Sequence, residues 1–299
     1  MKFKLKLIIF IIILILYEYF IHTQITTICE VKYIETPTKS KREQIFNDKV
    51  PTVFKNVFSP DHPMFKWTPE FFGKKFPEEK IRIQSSDTYD VSSMTFQEFI
   101  TIFRNKPNLY CAEVTDFLSK INMESKFHKY MKCFEPPNCV WTSNALWLGA
   151  KGSRTNIHYD PDYRNVLILL TGKKKIHLFY PYKEEDIYPG VYYDFGACNS
   201  KVNFWGNKDK YPDFKDVRKI SFEVEKGDCV FIPPYVWHAV ENIEETLAIS
   251  YRCEIVGSII SKIPGCYLVI RDFVGSFKKS RINTKTNSSN DTSSQQVLA

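Results

Sequence analysis

From Ala145 to Tyr251 the chain is written in short apolar runs, and that pattern limits its fold more than any other feature. The runs are Ala145 to Leu148, Val166 to Leu170, Lys174 to Phe179, Ile220 to Val224, Cys229 to Ile232 and Thr246 to Tyr251, separated by Gly, Pro and Asp. Each is too short for a helix that buries a face and the right length for a strand, and the turn residues between them favour antiparallel connections. The expectation is a mainly β chain, a double-sheet antiparallel barrel of jelly-roll type.

The flanks read differently. Thr52 to Val57 and Ile81 to Gln84 predict strands, Pro69 to Phe76 a helix opened by Thr68, and Thr95 to Phe103 a helix whose Thr95 and Glu98 form a capping box. These make a mixed α/β portion ahead of the barrel. Past Cys253, Ile255 to Lys262 and Tyr267 to Phe277 predict two short helices broken by Pro264 and Gly265. The insert 186–219, rich in Tyr, Gly, Asp and Pro, predicts a loop excursion beside the barrel mouth.

At the N-terminus, Lys2, Lys4 and Lys6 precede an apolar run from Leu7 to Tyr17, the arrangement of a signal peptide or signal anchor. With no Ala-x-Ala-like site after it, 1–22 is read as an uncleaved anchor that attaches the body to an endomembrane facing the lumen, with secretion as the alternative. The expected order is then a polar, lysine-rich linker over 23–49, the barrel domain over 50–253, a helical segment over 254–278 and a disordered tail over 279–299. The apolar content of 254–278 suits a homodimer contact.

Eight cysteines fit either compartment. None makes a zinc-ribbon spacing; Cys133 and Cys139 are the nearest couple, and Cys229 in an apolar run reads as an inert buried thiol. Two Asn-x-Ser/Thr triplets, at Asn287 and Asn290, fall in a Ser/Thr/Asn-rich tail, where they arise easily. The formal charge of +7 comes from 41 basic against 34 acidic residues spread along the chain, so nucleic-acid binding is not favoured.

The chemistry is carried by His158-Tyr159-Asp160 and, far downstream, His238 at the end of Gly227-Asp228-Cys229-Val230-Phe231-Ile232-Pro233-Pro234-Tyr235-Val236-Trp237-His238. In a strand, positions i and i+2 share a face, so His158 and Asp160 can approach one metal while His238 arrives from another strand. Two imidazoles and a carboxylate can hold one face of a non-haem Fe(II) and leave positions open for a co-substrate and O₂. In Lys173-Lys174-Lys175-Ile176-His177-Leu178, the period of two places Lys174 inward with Ile176 and Leu178, while Lys173, Lys175 and His177 share the other face. An inward ammonium needs an anion, and the distal carboxylate of 2-oxoglutarate would supply one. Snorkelling of Lys174 to the rim is the plainer alternative.

Together with Thr142 to Gly149, Thr155 to Asp160, Gly172-Lys173-Lys174, Leu178-Phe179 and Tyr211 to Phe214, these segments resemble JmjC-domain oxygenases of the cupin-8 type. Within that family they are most similar to the asparaginyl hydroxylase factor inhibiting HIF, over about residues 50–253. The resemblance implies a double-stranded β-helix fold and the cofactors Fe(II), 2-oxoglutarate and O₂, with succinate and CO₂ as co-products. It places iron on His158, Asp160 and His238 and the co-substrate carboxylate on Lys174 and Thr155, with Asn165 and Tyr110 as further contacts. Without the resemblance these would read as a strand hydroxyl, a turn residue and a core tyrosine, and Trp237 reads as core packing. Two departures stand out: the Asp160-to-Lys174 spacing is one residue longer, and Ser250 occupies a co-substrate-contact position where relatives carry Asn, so that contact is expected to be weakened or replaced.

The function this implies is hydroxylation of a side chain on a protein substrate. The rivals are a non-catalytic cupin-like binding protein, a JmjC demethylase and a tRNA-base hydroxylase. The last two find no chromatin-reading segment and no basic stripe with interleaved aromatics to support them.

Overall fold

Strict alternation along single strands builds the molecule in layers. In the run 164–171, Val166, Ile168 and Leu170 pack into one core, while Leu167 and Leu169 face another. A computed structural model describes residues 12, 13, 16, 30–86, 90–192 and 197–262. The first half runs β1 (Lys32–Glu35), α1 (Lys39–Asp48), β2 (Thr52–Lys55), α2 (Pro69–Lys75), β3 (Lys80–Ser85), β4 (Val91–Thr95), α3 (Phe96–Ile102), β5 (Leu109–Val114), α4 (Phe117–Lys120) and α5 (Glu124–Met131). The second half runs β6 (Trp141–Gly149), β7 (Arg154–Tyr159), β8 (Arg164–Thr171), β9 (Lys173–Tyr180), β10 (Pro189–Tyr192), β11 (Cys198–Ser200), β12 (Arg218–Glu225), β13 (Cys229–Phe231), β14 (Trp237–Asn242), β15 (Thr246–Glu254) and α6 (Val256–Ser261).

The strands form a nine-stranded sheet, β1-β2-β13-β8-β15-β6-β5-β3-β4, and a six-stranded sheet, β10-β11-β7-β14-β9-β12. Val53, Leu169, Val230 and Ala248 of the larger sheet meet Ile176, Leu178, Phe222 and Val224 of the smaller one, so the two close on each other as a jelly roll. The back of the larger sheet is covered by the N-terminal helices, with Phe46, Phe72, Phe96, Phe99, Phe117 and Phe127 buried against it. Gly172 turns β8 into β9 at φ +69°, where a Cβ would strike the Glu245 carbonyl.

Several expectations need correction. Within the stretch read as linker, the described residues 30–49 carry β1 and α1: β1 pairs in parallel with β2, and Ile45 and Phe46 of α1 are buried. Only a few of its residues face inward, so lysine-rich composition masked the element. The insert is not a bare loop. Its β10 and β11 extend the smaller sheet, β11 pairing with β7, and Ile187, Cys198, Val202 and Phe214 form a third core with Trp237. His177, grouped with solvated lysines, is buried under Phe204 and Trp205.

Other expectations hold. Thr68 caps α2, and Thr95 with Glu98 makes the capping box of α3. Cys229 is fully buried, and Cys133 and Cys139 are free thiols. The first C-terminal helix is α6; the second, at 267–277, and the tail lie outside the described residues, as does 1–22 apart from 12, 13 and 16. No helix among the described residues is long and apolar enough to cross a membrane.

Candidate metal and co-substrate site

Strand pairing sets the site. β7 and β14 are antiparallel neighbours in the smaller sheet with His158 directly opposite His238. Their rings lie 4.2 Å apart between centroids. Asp160 follows the end of β7, and its backbone carbonyl accepts from the Tyr235 N–H at 2.8 Å, which ties the turn carrying the carboxylate to the loop that delivers His238. One ligand atom from each of the three side chains falls within 4.8 Å of the others.

The imidazoles are oriented for ligation. Nδ1 of His158 lies 2.8 Å from the Asn156 carbonyl oxygen, and Nδ1 of His238 lies 2.9 Å from that of Val236. Each Nδ1–H therefore donates to backbone, which leaves each Nε2 with a lone pair for a metal. Burial, and then the neighbouring His158, push the His238 pKa well below the usual imidazole range, so the ring stays neutral, the form that binds metal. Asn165 donates to Asp160 Oδ2 at 2.9 Å and fixes the carboxylate. This donor set, with an open cavity beside it, suits a divalent transition metal such as Fe(II).

The cavity runs from these ligands to Lys174, between walls that include Trp147, Leu167, Ile176, Val230 and Ile232. Lys174 is 1% exposed. Its Nζ donates to Tyr110 Oη at 3.1 Å and to Asn242 Oδ1 at 2.7 Å, and among the described residues no carboxylate pairs with it. Burial alone lowers its pKa to about 7. Thr155 Oγ1 and Asn165 Oδ1 are buried without a hydrogen-bond partner, though both residues line the cavity. A Thr155 hydroxyl free to donate beside an uncompensated amine is what a site for an anionic ligand offers, while the Asn165 oxygen can only accept.

Every residue expected at the site lines this one cavity: His158, Asp160, His238, Lys174, Thr155, Asn165, Tyr110 and Ser250. The longer spacing before Lys174 does not move it out of register. Ser250 also packs against a neighbouring cavity wall. Its hydroxyl donates to the Ala145 carbonyl at 3.4 Å and accepts from Trp147 Nε1 at 3.3 Å, so it braces the indole. Sequence reasoning missed Asn242, although His238, Val240 and Asn242 alternate along β14 and so share the ligand's face. It also missed Gly149, where a Cβ would come within 2.8 Å of Asn242 Nδ2 and 2.7 Å of the Tyr110 ring.

The comparisons agree with this geometry. A model of the cupin-like domain matches residues 37–252. HSPB1-associated protein 1 of Bos taurus is 26% identical over 238 residues, covering 70% of this chain and 49% of that protein. The lysine-specific demethylase JMJ30 of Arabidopsis thaliana is 31% identical over 121 residues, 40% of this chain and 27% of that protein. Jumonji C domain-containing protein 5 of Drosophila melanogaster is 21% identical over 249 residues, 78% of this chain and 62% of that protein. The chain thus spans less than two thirds of each of these relatives. With two facing sheets, a His-Asp-His cluster between them and a family match over most of its length, the chain belongs to the cupin-like domain family and has JmjC-domain proteins among its relatives.

Proposed function

We propose that this chain is an Fe(II)- and 2-oxoglutarate-dependent dioxygenase that hydroxylates a side chain of a protein substrate. The observation that carries the reading is one cavity with a triad of two imidazoles and a carboxylate at one end and a buried lysine without a counter-ion at the other. Fe(II) held by His158, Asp160 and His238 would supply activation of O₂, with 2-oxoglutarate as the electron source and succinate and CO₂ as co-products. The chain's own residues do the placing. Lys174 and Thr155 offer donors to a carboxylate, Asn165 holds Asp160 still, and Trp147, Val230 and Ile232 keep the space between the sheets apolar and poor in water.

The name of the Arabidopsis relative, a lysine-specific demethylase, favours a second reading, lysine demethylation. The two differ in product, because hydroxylation adds one oxygen atom to the substrate whereas demethylation removes a methyl group. Likeness to an asparaginyl hydroxylase rests on the motif resemblance alone. The basic-flanked apolar run at 7–17 supports attachment to an endomembrane or secretion, and the apolar residues of 254–278 support self-association. The test is conversion of 2-oxoglutarate to succinate with iron and ascorbate present, alongside mass spectrometry of proteins trapped by a His158→Ala variant. Succinate formed by the wild type and lost in the variant is expected; equal rates in both refute the assignment.

A further inference from the structure

Resting on that reading, we infer that Asn242 is a specificity-determining residue: it orients the Lys174 amine without neutralising it and so reserves that charge for the carboxylate of a dicarboxylic co-substrate. Lys174 and Asn242 are direct cross-strand partners between β9 and β14. An ammonium has three N–H donors, and two of them are taken by neutral acceptors, Asn242 Oδ1 at 2.7 Å and Tyr110 Oη at 3.1 Å. Lys174 lines the cavity, which leaves the protonated amine one donor, and a charge that no protein group offsets, for a ligand.

The surroundings hold this arrangement. Asn242 is 2% exposed, and its Nδ2 donates to the Ala150 carbonyl at 3.4 Å, which turns its oxygen towards the amine. Its backbone N–H donates to Ser153 and its carbonyl accepts from Gly152, both at 2.8 Å. Gly149 lets Tyr110 and Asn242 close over the lysine, since a Cβ there would collide with both. A carboxylate of the same shape at position 242 would sit within ion-pair distance of Nζ and satisfy the charge internally. An anionic ligand would then gain little by entering and would meet a like charge.

The experiment measures equilibrium binding of 2-oxoglutarate to Mn(II)-loaded full-length protein, with pyruvate as a probe that has a single carboxylate, beside a thermal melt. In Asn242→Asp the affinity for 2-oxoglutarate is expected to fall by about 100-fold or more, as for an ion pair replaced by a competing one. The melting temperature should be unchanged or higher, an outcome that a merely structural role would not give. The preference for 2-oxoglutarate over pyruvate should collapse with it. Asn242→Leu, of similar size and without an acceptor, removes one orienting bond and adds no counter-ion; about a tenfold loss is expected. It decides the matter should the Asp variant not fold. Wild-type affinity in a folded Asp variant, or in the Leu variant, overturns the inference and leaves the function intact. Absence of 2-oxoglutarate binding by the wild type overturns both.

Discussion

His158 and His238 stand directly opposite each other across β7 and β14, ring centroids 4.2 Å apart, each with its Nδ1 anchored on the carbonyl two residues earlier in the chain. That symmetry fixes both Nε2 atoms before any metal arrives. His158→Ala, His238→Ala and Asp160→Ala should each abolish stoichiometric Fe(II) binding with little change in melting temperature, because none of the three fills a hydrophobic core. Metal analysis after anaerobic loading, run beside thermal melts, checks this. Full iron occupancy in any of these variants would contradict it.

Asn165 touches Asp160 through a single amide hydrogen bond of 2.9 Å. Asn165→Ala should leave the fold in place and weaken metal binding by about 10- to 100-fold, the usual effect of losing a group that orients a ligand. Titration of the protein with Mn(II) or Fe(II) under anaerobic conditions gives the number. An unchanged affinity would show that the carboxylate is held by other means.

Lys174 should make 2-oxoglutarate affinity depend on pH. Burial brings its pKa in the free protein down to about 7, against 10.5 in the unfolded chain. Below that value the amine already carries its proton; above it, binding a carboxylate must first restore the charge. Affinity should therefore be greatest below about pH 7 and decline as pH rises, by up to about tenfold per unit. Burial raises the Tyr110 pKa, so the phenol stays neutral throughout and adds no second step. Binding of 2-oxoglutarate to the Mn(II) form across neutral and alkaline pH should show this slope in the wild type and weak, flat binding in Lys174→Met. A flat wild-type profile would contradict the role given to the amine.

The helix in the stretch that composition presents as a linker contributes to stability. Phe46 is 6% exposed and meets Phe231 edge to face with centroids 4.7 Å apart, in a cluster with Phe54 and Phe134. Phe46→Ala should cost about 3–5 kcal/mol. Deletion of 30–49 should leave β2 with one neighbour and expose the same cluster. Urea denaturation of the point variant measures the loss; a change below about 1 kcal/mol would mean that α1 is not part of the core.

Much of the barrel and nearly all of the site were legible because both follow a period of two. Lys174, Ile176 and Leu178 share an inward face as their alternation predicts, and the spacing of His158 and Asp160 brings both to one cavity. The N-terminal half was harder to read, since its helices bury few residues each. Ile45 and Phe46 are the buried pair of α1 amid lysines and acids, too sparse to register as a periodic stripe. Asn242 escaped notice for a different reason. Its role arises from the residue opposite it, and the register between β9 and β14 is a tertiary fact that a single strand's sequence does not carry. The burial of His177 depends likewise on Phe204 and Trp205 folding back from the insert.

The most direct test of the site as a whole is anaerobic titration of the iron-loaded protein with 2-oxoglutarate, followed by calorimetry, in the wild type, His158→Ala and Lys174→Met. One iron per chain and one 2-oxoglutarate bound in a metal-dependent manner are expected for the wild type, with no iron in the first variant and iron without tight 2-oxoglutarate in the second. Tight binding of 2-oxoglutarate that survives both substitutions, or a wild type that takes up neither ligand, would contradict the assignment.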